Sequence, residues 1–349
     1  MKKITIKDYN DAINSVLEFE KNLPKNLKPE IIIQNGHIND PGISDIDIIF
    51  VFKDDFLYCS YFLELFQKYI LQIENYNIFF HHLPHILPLS SLKDLPHMSF
   101  NPSGDLNILK GDFNFSKKET GHYQNILNSF EQIHSRIVGL AKLYLTNTKN
   151  LNALLLNGHS IIHSLNSVNQ MGYKLNIKDF KTFIEIENLR KIIVDNADYK
   201  IKNYNDLRLG LIDEFYLLLK HINKKIENKV LMHFSKNQNI HKYDHDIYLV
   251  NLNKKKDKIN FHLKNKSIFI EGFSWQTLCL FENYFLEKDN FQTVFKDLEF
   301  ENEIKNRLKY LKQIFIFNFN NFSNPVGRNL FHPLVKGPYL TSLSRKMIL

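Results

Sequence analysis

Residues 31–52 read IIIQNGHINDPGISDIDIIFVF, and their pattern decides the fold of the N-terminal part of this chain. Three β-branched residues, Ile31, Ile32 and Ile33, open a strand that ends at Gly36. Glycine lets the chain turn tightly there and lets backbone amides approach a ligand. A polar loop containing Pro41 and Gly42 brings the chain back. The second strand opens Ser44-Asp45-Ile46-Asp47-Ile48 and continues into a strongly apolar run. Side chains alternate along a strand, so Asp45 and Asp47 share one face while Ile46 and Ile48 turn to the core.

Two carboxylates two residues apart on a rigid strand repel each other unless a cation lies between them. Mg²⁺ fits: it takes hard oxygen ligands, typically one or two carboxylates together with substrate phosphates. Two such ions, with Mn²⁺ able to substitute, clamp the attacking and leaving oxygens of a displacement at phosphorus. The turn at Gly36, brought alongside, would offer amides to a triphosphate.

Gly36, an eight-residue spacer and then Asp45-Ile46-Asp47-Ile48 make up a pattern that resembles the DNA polymerase β-like nucleotidyltransferase superfamily. The resemblance covers about residues 28–110. It implies a nucleotidyltransferase fold over residues 1–115, with an NTP as donor (ATP-binding in the usual case). Asp45 and Asp47 would then be catalytic metal ligands, and Gly36, His37 and Ser44 would line the nucleotide. His37 is a departure, since the family carries Gly or Ser after the first glycine. A second departure concerns the third acid that the family often places on a following strand. The segment read as that strand, Ile78-Phe79-Phe80-His81-His82, has none. Asp105 is the best replacement by local pattern and Asp112 the next, while His81 or His82 are candidates for substrate contact at the same place.

The rest of the chain sets broader bounds. Its 349 residues are 44% hydrophobic and 13% aromatic, enough for a substantial core and for two or three domains. No apolar run approaches the roughly 20 residues that cross a bilayer, and no signal peptide opens the sequence. Cys59 and Cys279 lack CxxC spacing, which fits buried thiols in a reduced, cytoplasmic setting. A net charge of +8 favours anionic partners without choosing among them, and the run Lys254-Lys255-Lys256 reads as a solvated loop.

Apolar spacing predicts helices over 6–22, 55–73, 120–146, 150–170, 178–195, 203–227, 274–287 and 300–315, with Gly172 and Gly210 as interruptions. Short apolar runs at 247–250, 259–263 and 268–270 predict β-hairpins between residues 229 and 272. Residues 84–104 read as loop, followed by a short extended stretch at 106–109. The whole is an α+β chain: a catalytic domain over 1–115, a helical domain over 116–227, and a mixed hairpin and helix region over 228–349 ending in an irregular tail.

Other chemistries have little footing. His159 and His163 have zinc-compatible helical spacing, but no acid or cysteine adjoins them in sequence. His81, His82 and His85 cluster near the predicted site, and His241, Asp244, His245 and Asp246 read as a polar loop. Trp275 reads as packing. P-loop, GxSxG and dinucleotide-binding glycine motifs are all absent. The expected activity is transfer of a nucleoside monophosphate, with release of pyrophosphate, to a small-molecule, sugar-phosphate or protein acceptor. Nucleic acid is not favoured as acceptor, because no RNA- or DNA-binding module is visible. A catalytically degenerate nucleotide- or RNA-binding protein, or a toxin–antitoxin component of the same fold, is the alternative. The sequence sets no oligomeric state.

Overall fold

The computed structural model describes residues 4–80, 84–97, 105–115, 121–135, 143, 151–170, 172–196, 199–234, 240–244, 247–250, 260–264, 267–271 and 291–319. The chain is α+β and divides into two units. One comprises Met1–Glu119, Lys191–Asp198 and Lys309–Lys336; the other comprises Thr120–Arg190, Tyr199–Leu308 and Gly337–Leu349.

In the first unit, helix α1 (Ile6–Lys21) starts at a capping box: the Thr5 amide donates to Asp8 Oδ2 at 2.7 Å, and the Asp8 amide donates back to Thr5 Oγ1. Strands β1 (Ile31–Asn35) and β2 (Asp47–Phe52) pair antiparallel, with Asn35 opposite Asp47 and Ile31 opposite Val51. Helix α2 (Cys59–Ile70) and the one-turn helix α3 (Tyr76–Phe79) carry the chain across to β3 (His85–Pro88), which lies parallel to β2. A 3₁₀ stretch, Leu89–His97, precedes β4 (Leu106–Lys110), which is antiparallel to β1. The sheet order is therefore β3-β2-β1-β4.

Each face of this sheet has its own core. Ile46, Ile48, Phe50 and Phe52 pack under α1 and α2, where Phe50 meets Phe62 and Phe66 edge-on at 4.8 and 5.2 Å. Cys59 is buried in that cluster. The opposite face gathers Ile31, Ile33, Ile49, Val51 and Leu87 beneath Leu92, Leu95 and Ile314. Burying a side chain of this size is worth about 1.5–3 kcal/mol, so the strand period is strongly enforced.

The third strand corrects the sequence reading. Residues 76–79 are helical, entered through the left-handed residue Asn75 (φ 61°), and the strand begins at His85, inside what reads as loop. A parallel neighbour of β2 needs a crossover long enough to return to the same sheet end, and α3 supplies its last turn. Pro84 comes immediately before the strand and does not end an earlier one, a position tolerated at a sheet edge. His81 and His82 lie outside the described residues.

In the second unit, α4 (His122–Ser135), α5 (Leu151–Gln170) and α7 (Tyr204–Glu227) pack against one another, and α6 (Lys181–Asp195) lies against α5 and α7. Gly210 does not interrupt a helix: it sits inside α7, where a Cβ would come 2.3 Å from Thr182 Oγ1. Gly158 on α5 likewise meets Ile186, at 2.5 Å. Both glycines serve close helix contact. The Glu214 carboxylate accepts from the amides of Thr182 and Phe183 at 2.7 and 2.9 Å, filling the start of α6; burial pushes its pKa up while these amides oppose the shift.

Strands β6 (Ile240–Asp244), β7 (Ile247–Val250), β8 (Asn260–Lys264) and β9 (Ser267–Glu271) form a sheet of order β6-β7-β9-β8. His241 and Asp244 thus belong to a strand rather than a loop, because Ile240 pairs with Val250. Besides the expected antiparallel pairs, β7 and β9 run parallel. Strand β5 (Val230–Phe234) pairs with β10 (Phe291–Phe295), which the sequence reading did not anticipate. Helix α8 (Leu298–Phe319) follows, capped by Asp297, whose Oδ1 accepts from the Phe300 amide at 3.1 Å. Its other oxygen accepts from Lys229 Nζ and Tyr123 Oη, both at 2.7 Å. The expected helix over 274–287, Lys254-Lys255-Lys256, Trp275 and Cys279 lie outside the described residues.

Gly158→Ala should cost about 1–3 kcal/mol in a urea melt, because the new methyl overlaps Ile186. Gly121→Ala, with nothing within 4 Å of the added carbon, should stay within about 0.5 kcal/mol. The Lys229 and Tyr123 hydrogen bonds hold the Asp297 carboxyl well below its ordinary value of 3.8. The stability this lends is complete above that value and is lost as pH falls through the folded constant. The stability gap between wild type and Asp297→Asn should therefore be widest near neutrality and narrow below about pH 4.

Candidate functional site

The alternation expected of this segment is present from Ile46 onward: Ile46 and Ile48 are buried under α1 and α2, Asp47 is half-buried on the face of Ile49 and Val51, and Asp45 is also half-buried. The strand itself begins at Asp47, so Asp45 stands in the approach to it. Three polar residues share one end of the sheet on that face: Asn35 on β1, Asp47 on β2 and His85 on β3. Asn35 is directly opposite Asp47, and His85 is level with Ile49, one pleat further along. Asn35 is 7% and His85 1% exposed, and Asp47 Oδ1 is itself shielded from solvent. Beyond them the same face is wholly apolar.

Water is thus excluded from one side of the Asp47 carboxylate, which raises the electrostatic value of any cation or donor facing it. Sequence reasoning weighed His85 only as one of a cluster of histidines, and it missed Asn35. Both become visible once the register is known, since each lies two residues from an apolar neighbour on the Asp47 face.

The loop joining β1 to β2 is tied down internally. Gly36 has φ 80°, in the left-handed region that favours glycine, and its amide donates to the Asp105 carbonyl at 2.8 Å. Ser44 Oγ accepts from the Asp40 amide at 3.1 Å, and the Ser44 and Ile43 amides donate to the Asp40 carbonyl. In this arrangement Ser44 closes the loop. From α1, the Tyr9 hydroxyl donates to the Ser44 carbonyl at 2.5 Å and accepts from the Gly42 amide at 3.0 Å. Tyr9 is fully buried, with its ring edge-on to Phe79 at 4.9 Å. Sequence periodicity marked this face of α1 as apolar but did not reveal that its one hydroxyl reaches the loop.

Asp105 lies just before β4, beside Gly36, and its Oδ2 is 3.3 Å from His37 Nε2. Two residues expected separately, one for catalysis and one for nucleotide binding, are thereby brought together at the rim of the turn. Asp112 is beyond the far end of β4. That strand runs away from Gly36 at about 3.3 Å per residue, so Asp112 is removed from the Asp47 corner. Among the described residues, no group of three or more His, Cys, Asp or Glu side chains is gathered as a metal site. Asp45 and Asp47 nevertheless fit a hard divalent cation by chemistry: two half-buried carboxylates two residues apart, one Asp47 oxygen out of water, with phosphate and water oxygens left to complete the shell.

In the second unit, His159 has an acid partner that its sequence neighbours lack. Glu187 on α6 brings Oε1 to 3.0 Å from His159 Nδ1, with the His163 ring 5.7 Å from that of His159. Arg190, buried, donates to the Leu155 carbonyl. Helix packing makes this pairing across 28 residues of sequence.

The chain matches no protein-family model, no curated protein and no solved structure. No helix among the described residues is long and apolar enough to cross a membrane.

Burial chiefly pushes the Tyr9 hydroxyl up to about 12; the Gly42 amide opposes the shift, and Asp45 and Asp40 add to it. A raised phenol pKa means that the unfolded chain ionises first, near the ordinary value of 10.0. The stability contributed by Tyr9 is complete below that pH and falls as pH rises towards 12. Denaturation of wild type should accordingly show a loss between about pH 10 and about pH 12 that Tyr9→Phe lacks.

Proposed function

We propose that the N-terminal unit is a nucleotidyltransferase-fold domain, and that the protein moves a nucleoside monophosphate from an NTP to an acceptor with release of pyrophosphate. The observation that carries this reading is the half-buried pair Asp45 and Asp47, two residues apart at the start of an otherwise core-facing strand beside the Gly36 turn. Asp45 and Asp47 would hold Mg²⁺, two ions in the full site, with Mn²⁺ as a substitute. When bound, the metal supplies Lewis-acid polarisation of phosphate oxygens.

The chain's own residues bind, orient and exclude water. The apolar face behind Asp47 keeps its carboxylate dry on one side, and buried Asn35 and His85 flank it. The Gly36 amide is already bonded to Asp105, so triphosphate contact at this turn falls to the backbone and ring of His37. Asp105, paired with His37, is the group proposed to take the acceptor's proton. A small molecule, sugar phosphate or protein is the proposed acceptor and the cytoplasm the proposed setting.

A second reading has two observations in its favour. Asp105 does not join Asp45 and Asp47 in a group of three, and the Gly36 amide is engaged. Both features suit a catalytically silent nucleotide- or RNA-binding protein, or a toxin–antitoxin component of the same fold.

Thermal unfolding with each of the four NTPs, with and without Mg²⁺, separates these readings. A ligand at 100 times its Kd that binds only the folded state adds about 2.7 kcal/mol. A Mg²⁺-dependent rise with one NTP, abolished in Asp45→Asn/Asp47→Asn, is the expected result. Pyrophosphate release should then be lost in folded Asp47→Asn, and retained turnover there would sink the assignment. Stabilisation by an NTP with no pyrophosphate release, whatever the acceptor supplied, selects the second reading.

A further inference from the structure

We propose that Tyr9 is a positioning residue for Asp45, acting with Phe79 as a clamp that fixes the backbone on both sides of that carboxylate; the inference rests on the nucleotidyltransferase reading. Asp45 precedes the first ladder position of β2, so the sheet does not hold it. Two other bonds do. The Ser44 carbonyl, part of the peptide before Asp45, accepts from the Tyr9 hydroxyl at 2.5 Å. The Ile46 amide, part of the peptide after Asp45, donates to the Phe79 carbonyl at 2.7 Å.

With both flanking peptides anchored, the φ and ψ of Asp45 are set and its Cα–Cβ bond has one direction. The two anchors are themselves joined, because the Tyr9 ring packs edge-on against Phe79 at 4.9 Å and 75°. The Gly42 amide completes the hydroxyl's hydrogen bonding at 3.0 Å, so Tyr9 also fixes the loop upstream. Neither Tyr9 nor Phe79 offers a ligand; Tyr9 is fully buried and Phe79 is 3% exposed. Their contribution is to reduce the reorganisation that Asp45 undergoes when a cation arrives, as outer-shell partners do for metal ligands in general.

The test is Mn²⁺ alone, added to the full chain and followed by electron paramagnetic resonance, which needs neither acceptor nor turnover. Tyr9→Phe keeps the ring and its contact with Phe79 and removes both hydroxyl bonds. Loss of an outer-shell partner typically weakens metal binding by about 10–100-fold, so the Mn²⁺ Kd should rise by at least about ten-fold. Phe79→Leu keeps the hydroxyl bonds and loosens the joint; it should shift the Kd in the same direction by less, and it decides the matter if Tyr9→Phe does not fold. Ile70→Val, a core change in α2 away from the loop, should leave the Kd within about two-fold despite a comparable fall in stability. An unchanged Kd in folded Tyr9→Phe, or an equal weakening in Ile70→Val, overturns the clamp. Wild-type protein showing no Mn²⁺ uptake that Asp47→Asn removes overturns the metal reading itself, and the clamp falls with it.

Discussion

Alternation along residues 45–52 forces two unlike environments onto one short segment. Ile46, Ile48, Phe50 and Phe52 are committed to the core beneath α1 and α2, so the intervening residues have no choice of side. Ile49 and Val51 satisfy that constraint with a second core, while Asp45 and Asp47 meet it where the sheet ends. A slip of one residue would turn the Asp47 carboxylate towards the phenylalanines and drive Phe50 and Phe52 into the second, aliphatic core, so the pairing of Asn35 with Asp47 is enforced by the packing of the whole unit. The acids are therefore presented by a register that has no low-energy alternative.

Much of this was legible because it depends on local period. Strands β1 and β2, helices α1 and α2 and the short strand β4 follow from spacings of two or of three and four. The third strand was not legible. Ile78-Phe79-Phe80 is too short an apolar run to distinguish strand from helix, and the need for a crossover back to β2 decides it. Strand β10 pairs with β5 across nearly sixty residues, a relation no window of sequence contains. At the site, the meeting of His37 with Asp105, and of Tyr9 with the loop, belongs to the same class. In neither case does the sequence reveal the pairing, which comes from a neighbour brought by topology.

The second unit makes the same point with glycine. Gly158 and Gly210 weaken a helix by composition alone, yet both sit within one, where a methyl group would collide with Ile186 or Thr182. The intrinsic cost at each position is offset by close contact with α6. The buried start of that helix is met by Glu214, and the start of α8 by Asp297, so the unit's helix ends depend on carboxylates from elsewhere in the chain.

Strand β3 is bracketed by Pro84 and Pro88, and it forms one border of the N-terminal sheet. Proline has no amide hydrogen, so this border offers an incomplete row of donors to any strand added to it. Neighbouring molecules are thus denied a template on the side of the sheet nearest β2. The N-terminal unit can carry an aromatic-rich, tightly paired sheet without that border becoming a seed for fibrous association.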